Sequence, residues 1–313
     1  MELYLPIADV TVNPLWVILL GAAVGLLSGL FGVGGGFLVT PMLNIAFGVP
    51  YNVAAGSSLA QILGTSVSAT ARHHGLGNVD VKLGVCMLAG GWIGVECGAR
   101  VVELLKRAEP IIAAGRELSP LDLIVPIVFL LLLSTVGTVT FRESRGARKR
   151  EPRGGIVETR IASWIQGIRI PPTVSLTRSG IQSISLSIFL GVGFASGFLS
   201  GLLGIGSGFV LMPTLVYVIR VPTTIAIGTG LFQMIFLAFF GTLTHTVKGN
   251  VDLVLVILLL IGSILGAQFG ASLTGKVRPA KIRYWFSLII YGAAVAVLAK
   301  LLAQLGLLGA SGS

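Results

Sequence analysis

Two stretches decide the fold: "SGLFGVGGGFLVTP" at Ser28–Pro41 and "SGLLGIGSGFVLMP" at Ser200–Pro213. Each plants a glycine cluster, Gly32–Gly36 and Gly204–Gly208, inside one of the most apolar segments of the chain. Glycine costs about 1 kcal/mol relative to alanine in a helix interior, so each cluster predicts a broken helix. The segments after the breaks, "FLVTPML" and "FVLMPTL", read as new half-helices.

The surroundings are membrane-like. Of 313 residues, 54% are hydrophobic and 11% charged, with a mean hydropathy of +0.94. Apolar runs near 15–48, 51–71, 81–101, 121–141, 183–219, 222–247, 253–275 and 284–308 are each long enough to cross a hydrocarbon slab of about 30 Å. The chain therefore reads as an all-α polytopic membrane protein with about 8–10 membrane segments. The opening "MELYLPIADVTVNP" has acids and no Lys or Arg, so it lacks the basic region of a cleaved signal, and the first helix is expected to stay. A net charge of +10 could suggest nucleic acid. Its basic residues are concentrated in two loops beside apolar spans, where a membrane-orientation signal accounts for them and no nucleic acid is needed.

The chain is also written twice. A shift of 172 positions aligns 21–99 with 193–271 without a gap, with 31 identities in 79 positions, which marks an internal duplication. "GNVD" recurs whole, at Gly77–Asp80 and Gly249–Asp252. Residues 142–182 hold nine Lys or Arg against three acids, a linker that the positive-inside rule makes cytoplasmic. This gives a first membrane repeat over 1–141, the linker over 142–182 and a second repeat over 183–313. The basic loop Lys276–Arg283 also reads as cytoplasmic, whereas its counterpart at 102–118 balances three bases with three acids and reads as external. Equivalent loops then lie on opposite sides, which predicts inverted-topology repeats with both termini external. An odd number of crossings per repeat is required, and breaking the 15–48 run at the glycines supplies it. Five short crossings per repeat, or a re-entrant hairpin plus three, both satisfy that count.

Non-helical backbone at membrane depth is tolerated only where protein buries it or a water-lined cavity solvates it. A half-helix start offers free N–H groups and a positive dipole end, and glycine lets an anion approach that backbone closely. The substrate-binding expectation therefore falls on Ser28, Gly32, Gly34, Gly35 and Gly36, and on Ser200, Gly204, Gly206, Ser207 and Gly208. Neutral donors on the following segments join them: Ser57, Ser58 and Gln61 in the first repeat, Thr229 and Gln233 in the second. Such donors hold an oxyanion and still release it, unlike a buried Arg clamp. Gly21, Gly25, Gly90, Gly94 and Gly98 recur at intervals that suit close helix packing. His73 and His245 occupy matched positions on opposite sides of the membrane and are candidate proton-sensitive gates. Glu96, within an apolar helix, is a third candidate of that kind, although Gln268 is its counterpart.

Other chemistries find little support. "GASLTGK" at Gly270–Lys276 lacks the Ser or Thr that a P-loop places next. A serine hydrolase built on Ser28 or Ser200 with His73 or His245 is the enzymatic rival, but serine and histidine both recur as symmetric copies, where chemistry needs one dyad. No His, Cys, Asp or Glu cluster has metal-ligand spacing, and no cofactor is expected. Cys86 and Cys97 lie about 16 Å apart along a helix and cannot pair. The chain reads as no enzyme.

With the paired glycine clusters, the "GNVD" loops, the linker's "SWIQGIRIPP" and the opening "YLPIADVTVN" in view, the sequence resembles the sulfite exporter TauE/SafE family of bacterial membrane proteins, over almost its whole length. The resemblance implies a secondary transporter in the inner (plasma) membrane that exports sulfite or a small sulfur-containing anion such as a sulfonate or sulfoacetate. The expected partners are that anion and the lipid bilayer. The family signature falls on Ser28–Pro41 and Ser200–Pro213, with Ser207 standing where the first copy has Gly35. Alternating access by rocking one half against the other is the expected mechanism. An anion channel with the nests as its filter is the alternative.

Overall fold

The computed structural model describes residues 2–109, 111–113, 116–118, 120–147, 165, 170–203, 206 and 208–304. Among the described residues, five helices lie before residue 148: α1 (Pro14–Phe31), α2 (Gly36–Ala46), α3 (Tyr51–Gly75), α4 (Val81–Arg107) and α5 (Pro120–Ala147). Five more lie after residue 185: α6 (Leu186–Leu203), α7 (Gly208–Tyr217), α8 (Thr223–Val247), α9 (Leu253–Thr274) and α10 (Pro279–Gln304). Three two-stranded hairpins complete the described residues: β1 (Leu3–Leu5) with β2 (Val10–Val12), β3 (Ile111–Ala113) with β4 (Arg116–Leu118), and β5 (Thr173–Leu176) with β6 (Ile181–Ser185). Seven of the helices are long and apolar enough to cross a membrane. α2 and α7, of 11 and 10 residues, reach only about half the thickness of a hydrocarbon core of roughly 30 Å.

The helix breaks fall at the glycines. α1 ends where Gly32 turns left-handed at φ 73°, its N–H bonding the Ser28 carbonyl, and α2 begins after Gly34 and Gly35, at φ 69° and 81°. An L side chain rarely adopts such angles.

Small residues then decide which helices meet. α1 runs parallel to α9: a Cβ added at Gly21, Gly25 or Gly29 would sit 2.3, 2.2 or 2.1 Å from the carbonyl oxygen of Leu259, Ser263 or Ala267. Glycines of α9 return the favour, Gly262, Gly266 and Gly270 meeting the carbonyls of Ile18, Ala22 and Leu26. α4 and α6 form an equivalent seam, with Gly90, Gly94 and Gly98 on one side and Gly193, Gly197 and Gly201 on the other. Backbones this close gain dispersion and Cα–H···O contacts that no bulkier residue permits. Both seams join helices of different repeats, so the halves interlock and are not two bodies that could rock as wholes.

The centre is the antiparallel pair α3 and α8, where Gly56 lies against His245 and Gly228 against His73. α5 and α10 pair on the outside, with Phe141 against Tyr284 and Tyr291. Following these directions, α1 and α6, which are copies of one another, point opposite ways. The first and last hairpins explain a further motif. Asp80 and Asp252, the last residues of each "GNVD", cap α4 and α9 by accepting from the N–H of Leu83 and Leu255. The free oxygen of Asp252 receives the N–H groups of Ile7 and Ala8 in the β1–β2 turn, and that of Asp80 receives the Ser179 hydroxyl in the β5–β6 turn. The last hairpin, Thr173–Ser185, lies mostly within 142–182, and α5 continues beyond 141 to Ala147.

Candidate anion site

The two nests come together at the molecular centre. A Cβ on Gly34 would lie 2.0 Å from Met234 Cε and 3.1 Å from Ile62 Cγ2. One on Gly206 would meet the same two side chains at 3.0 and 3.4 Å, and one on Gly208 would lie 2.6 Å from the Val33 carbonyl oxygen. Phe37 and Phe209, the second residues of α2 and α7, place their ring centroids 5.8 Å apart. The N-termini of the two half-helices therefore face each other near the crossing of α3 and α8. Gly35 at the start of α2 receives no side-chain cap, so the first N–H groups of that helix depend on whatever enters the space. Ile62 and Met234, equivalent residues of the two repeats, fill it in this conformation and form a small buried cluster with Leu59 and Ala238.

The other expected residues divide into groups. Gly32 lies deeper, against Ile227, and Gly36 is buried at the start of α2. Gly204 and Ser207 lie outside the described residues. Ser57 and Thr229 serve the helix caps: their hydroxyls accept from the N–H of Asp252 and Asp80. Ser58 shares a hydrogen bond of 2.7 Å with Thr40, tying α3 to the half-helix α2. Gln61 and Gln233 flank the centre. The Gln61 amide donates to Thr65, which shares a bond with Ser263 of α9, and the Gln233 amide donates to Ser196 of α6 at 3.3 Å. The amide oxygens of both glutamines and the hydroxyl of Ser28 are buried without a partner. Three unsatisfied polar atoms here carry a penalty of about 1–3 kcal/mol each unless water or a ligand meets them.

His73 and His245 sit at opposite ends of the α3–α8 pair. His73 is fully buried and its Nε2 donates to the Gly29 carbonyl at 2.8 Å. His245 is half-buried and lines a cavity of about 40 Å³ with Ser200, Gly201, Leu59, Leu237 and Gly241, large enough for water. Glu96 is not enclosed. Its side chain is 59% exposed and pairs with Arg100 one helical turn on, so the sequence placed it in an apolar helix but could not tell which face it occupies. Ile62 and Met234 escaped the sequence reading because an apolar residue in an apolar helix carries no signal of its own. Their matched positions beside Gln61 and Gln233 were the available clue.

A family model described as "Sulfite exporter TauE/SafE" matches residues 17–297. The chain belongs to the sulfite exporter TauE/SafE family. Relatives named "Probable membrane transporter protein" are similar along most of their length. YunE of Bacillus subtilis is 25% identical over 273 residues, covering 85% of this chain and 90% of the relative. A Xylella fastidiosa protein is 25% identical over 281 residues, covering 89% and 92%, and one from Methanocaldococcus jannaschii is 26% identical over 291 residues, covering 88% and 91%. No solved structure matches the chain. Family and helices together describe a multi-pass membrane transporter.

Proposed function

We propose that this transporter exports sulfite, or a related small sulfur-containing anion such as a sulfonate or sulfoacetate, across the bacterial plasma membrane. The observation that carries the reading is the meeting of two half-helix N-termini, Gly36 of α2 and Gly208 of α7, at the core of the bundle. The first N–H groups of α2, which receive no side-chain cap, and the two dipole ends suit an oxyanion, and the absence of a cationic residue from the glycine nests suits release. Ile62 and Met234 occupy the anion's place and must swing aside for it to bind. Arg72, Lys82, Arg145 and Lys281 gather at the end where α3 finishes, which the positive-inside rule makes cytoplasmic. An inside-negative potential then favours outward movement of a divalent anion by about 2.3 kcal/mol per charge per 100 mV, so no coupled ion is required.

The test is binding of sulfite, sulfate, taurine, sulfoacetate and thiosulfate to the purified full chain, beside folded Gly34→Leu and Gly206→Leu variants. One sulfur anion bound selectively, and lost by at least about tenfold in either variant, supports a single site shared by both nests. Binding of none, or binding indifferent to both changes, overturns it. Exchange of labelled substrate across proteoliposomes then separates a carrier from a channel.

A further inference from the structure

Where α5 ends and α10 begins, the two antiparallel helices part around a second cavity, about 210 Å³ in volume, far from the nests. Its wall carries Arg145 and Lys281, the hydroxyl of Ser144, and the rings of Tyr284 and Trp285. Ser144 is spent on the Phe141 carbonyl at 2.9 Å, which leaves the two cations as the donors. The Arg145 guanidinium carbon lies over the Phe141 ring, 5.1 Å from its centroid, a cation–π contact. Among the described residues neither cation pairs with a carboxylate. Glu143, two residues before Arg145, points to another side of the helix. Arg283 takes no part: it is fully buried and donates to Thr223.

Three properties of this cavity converge. Lys281 stands in the first turn of α10 and Arg145 lies across the cavity from it, where the helix dipole adds positive potential. Trp285 is 58% exposed beside them, in the manner of an indole held at a membrane–water boundary. The surrounding segments carry further bases, Arg142, Lys276 and Arg278, so the local field favours an anion. We propose that the cavity is a phosphate site, and that its occupant is the headgroup of an anionic phospholipid. The site stands on the membrane setting alone and does not depend on which anion is exported.

The experiment uses the full chain in detergent, with native mass spectrometry counting retained short-chain phosphatidylglycerol, short-chain phosphatidylcholine and inorganic phosphate. Wild type should retain phosphatidylglycerol in preference to phosphatidylcholine. The pair Arg145→Ala and Lys281→Ala should lower that retention by at least about tenfold, as two juxtamembrane charges imply. Lys248→Ala, a charge-matched change at the other end of the molecule, beyond the end of α8, should leave retention intact. Equal retention of both lipids by wild type, or full retention by the alanine pair, overturns the site. Retention of inorganic phosphate without preference for phosphatidylglycerol assigns a soluble anion instead and overturns the lipid.

Discussion

The end of the molecule that carries His73 and the end that carries His245 are built from equivalent residues, yet His73 is fully buried and bonded to the Gly29 carbonyl, whereas His245 is half-buried and lines a cavity. At the His245 end, Ser200, Gly201, Leu237 and Gly241 surround open space. Ser200, Leu237 and Gly241 are themselves buried, as are the counterparts Ser28, Gly29, Thr65 and Ala69, so the ends differ in the histidine. Two side chains account for much of the contrast. Ala69 puts a methyl where Gly241 has none, and Thr65 reaches across to Ser263 where Leu237 cannot. His73 then locks the Gly29 carbonyl from below. A duplicated backbone can thus be biased towards one facing state by a methyl and a hydroxyl. Under the orientation proposed above, the fully buried histidine is the one nearer the cytoplasm.

The largest expected effect tests what the two ends share. Gly25→Leu and Gly197→Leu each drive a side chain into a backbone carbonyl, at 2.2 and 2.0 Å from the first added carbon. Both should lower thermal stability by about 3 kcal/mol or more and reduce folded yield to a similar degree. A large effect in one seam with tolerance in the other would show that the contrast extends into the scaffold. A smaller effect sharpens the difference itself. In a chain with Cys86 and Cys97 changed to Ser, Ser200→Cys should react with a water-soluble thiol reagent on the order of tenfold faster than Ser28→Cys. Adding Ala69→Gly should speed the slow site, and equal rates at the start would remove the asymmetry. The smallest effect concerns Glu96. Its carboxylate is spent on Arg100 one turn on, away from the nests, so Glu96→Gln should leave transport and its pH profile unaltered. A shifted pH profile would restore Glu96 as a proton-linked residue.

Much of this was legible in the chain because glycine is informative wherever it is costly. Gly32–Gly36 announced the break, and Gly21, Gly25, Gly90, Gly94 and Gly98 announced close packing. What the intervals could not say is which helix each stripe would meet, because a small face fits any other small face. The interlocking of the repeats was hidden for that reason. The hairpins were hidden by sequence divergence: Leu3–Val12 and Thr173–Ser185 fold alike and dock alike on Asp252 and Asp80 with hardly a shared residue. Ser57 and Thr229 looked like ligands because a buried hydroxyl reads the same whether it meets an anion or a backbone N–H.

The two glycine seams carry a consequence for how the protein is made. α1 is among the first segments to leave the ribosome, and the carbonyl rail it fits belongs to α9, near the end of the chain. α4 likewise waits for α6. Until then, each inserted helix exposes a narrow groove of bare backbone to lipid, with no neighbour to fill it. Neither half can reach its final packing alone, so synthesis of the second half is the event that completes the first. A truncation after the linker should yield helices that enter the membrane, fail to associate and fall to quality-control proteases.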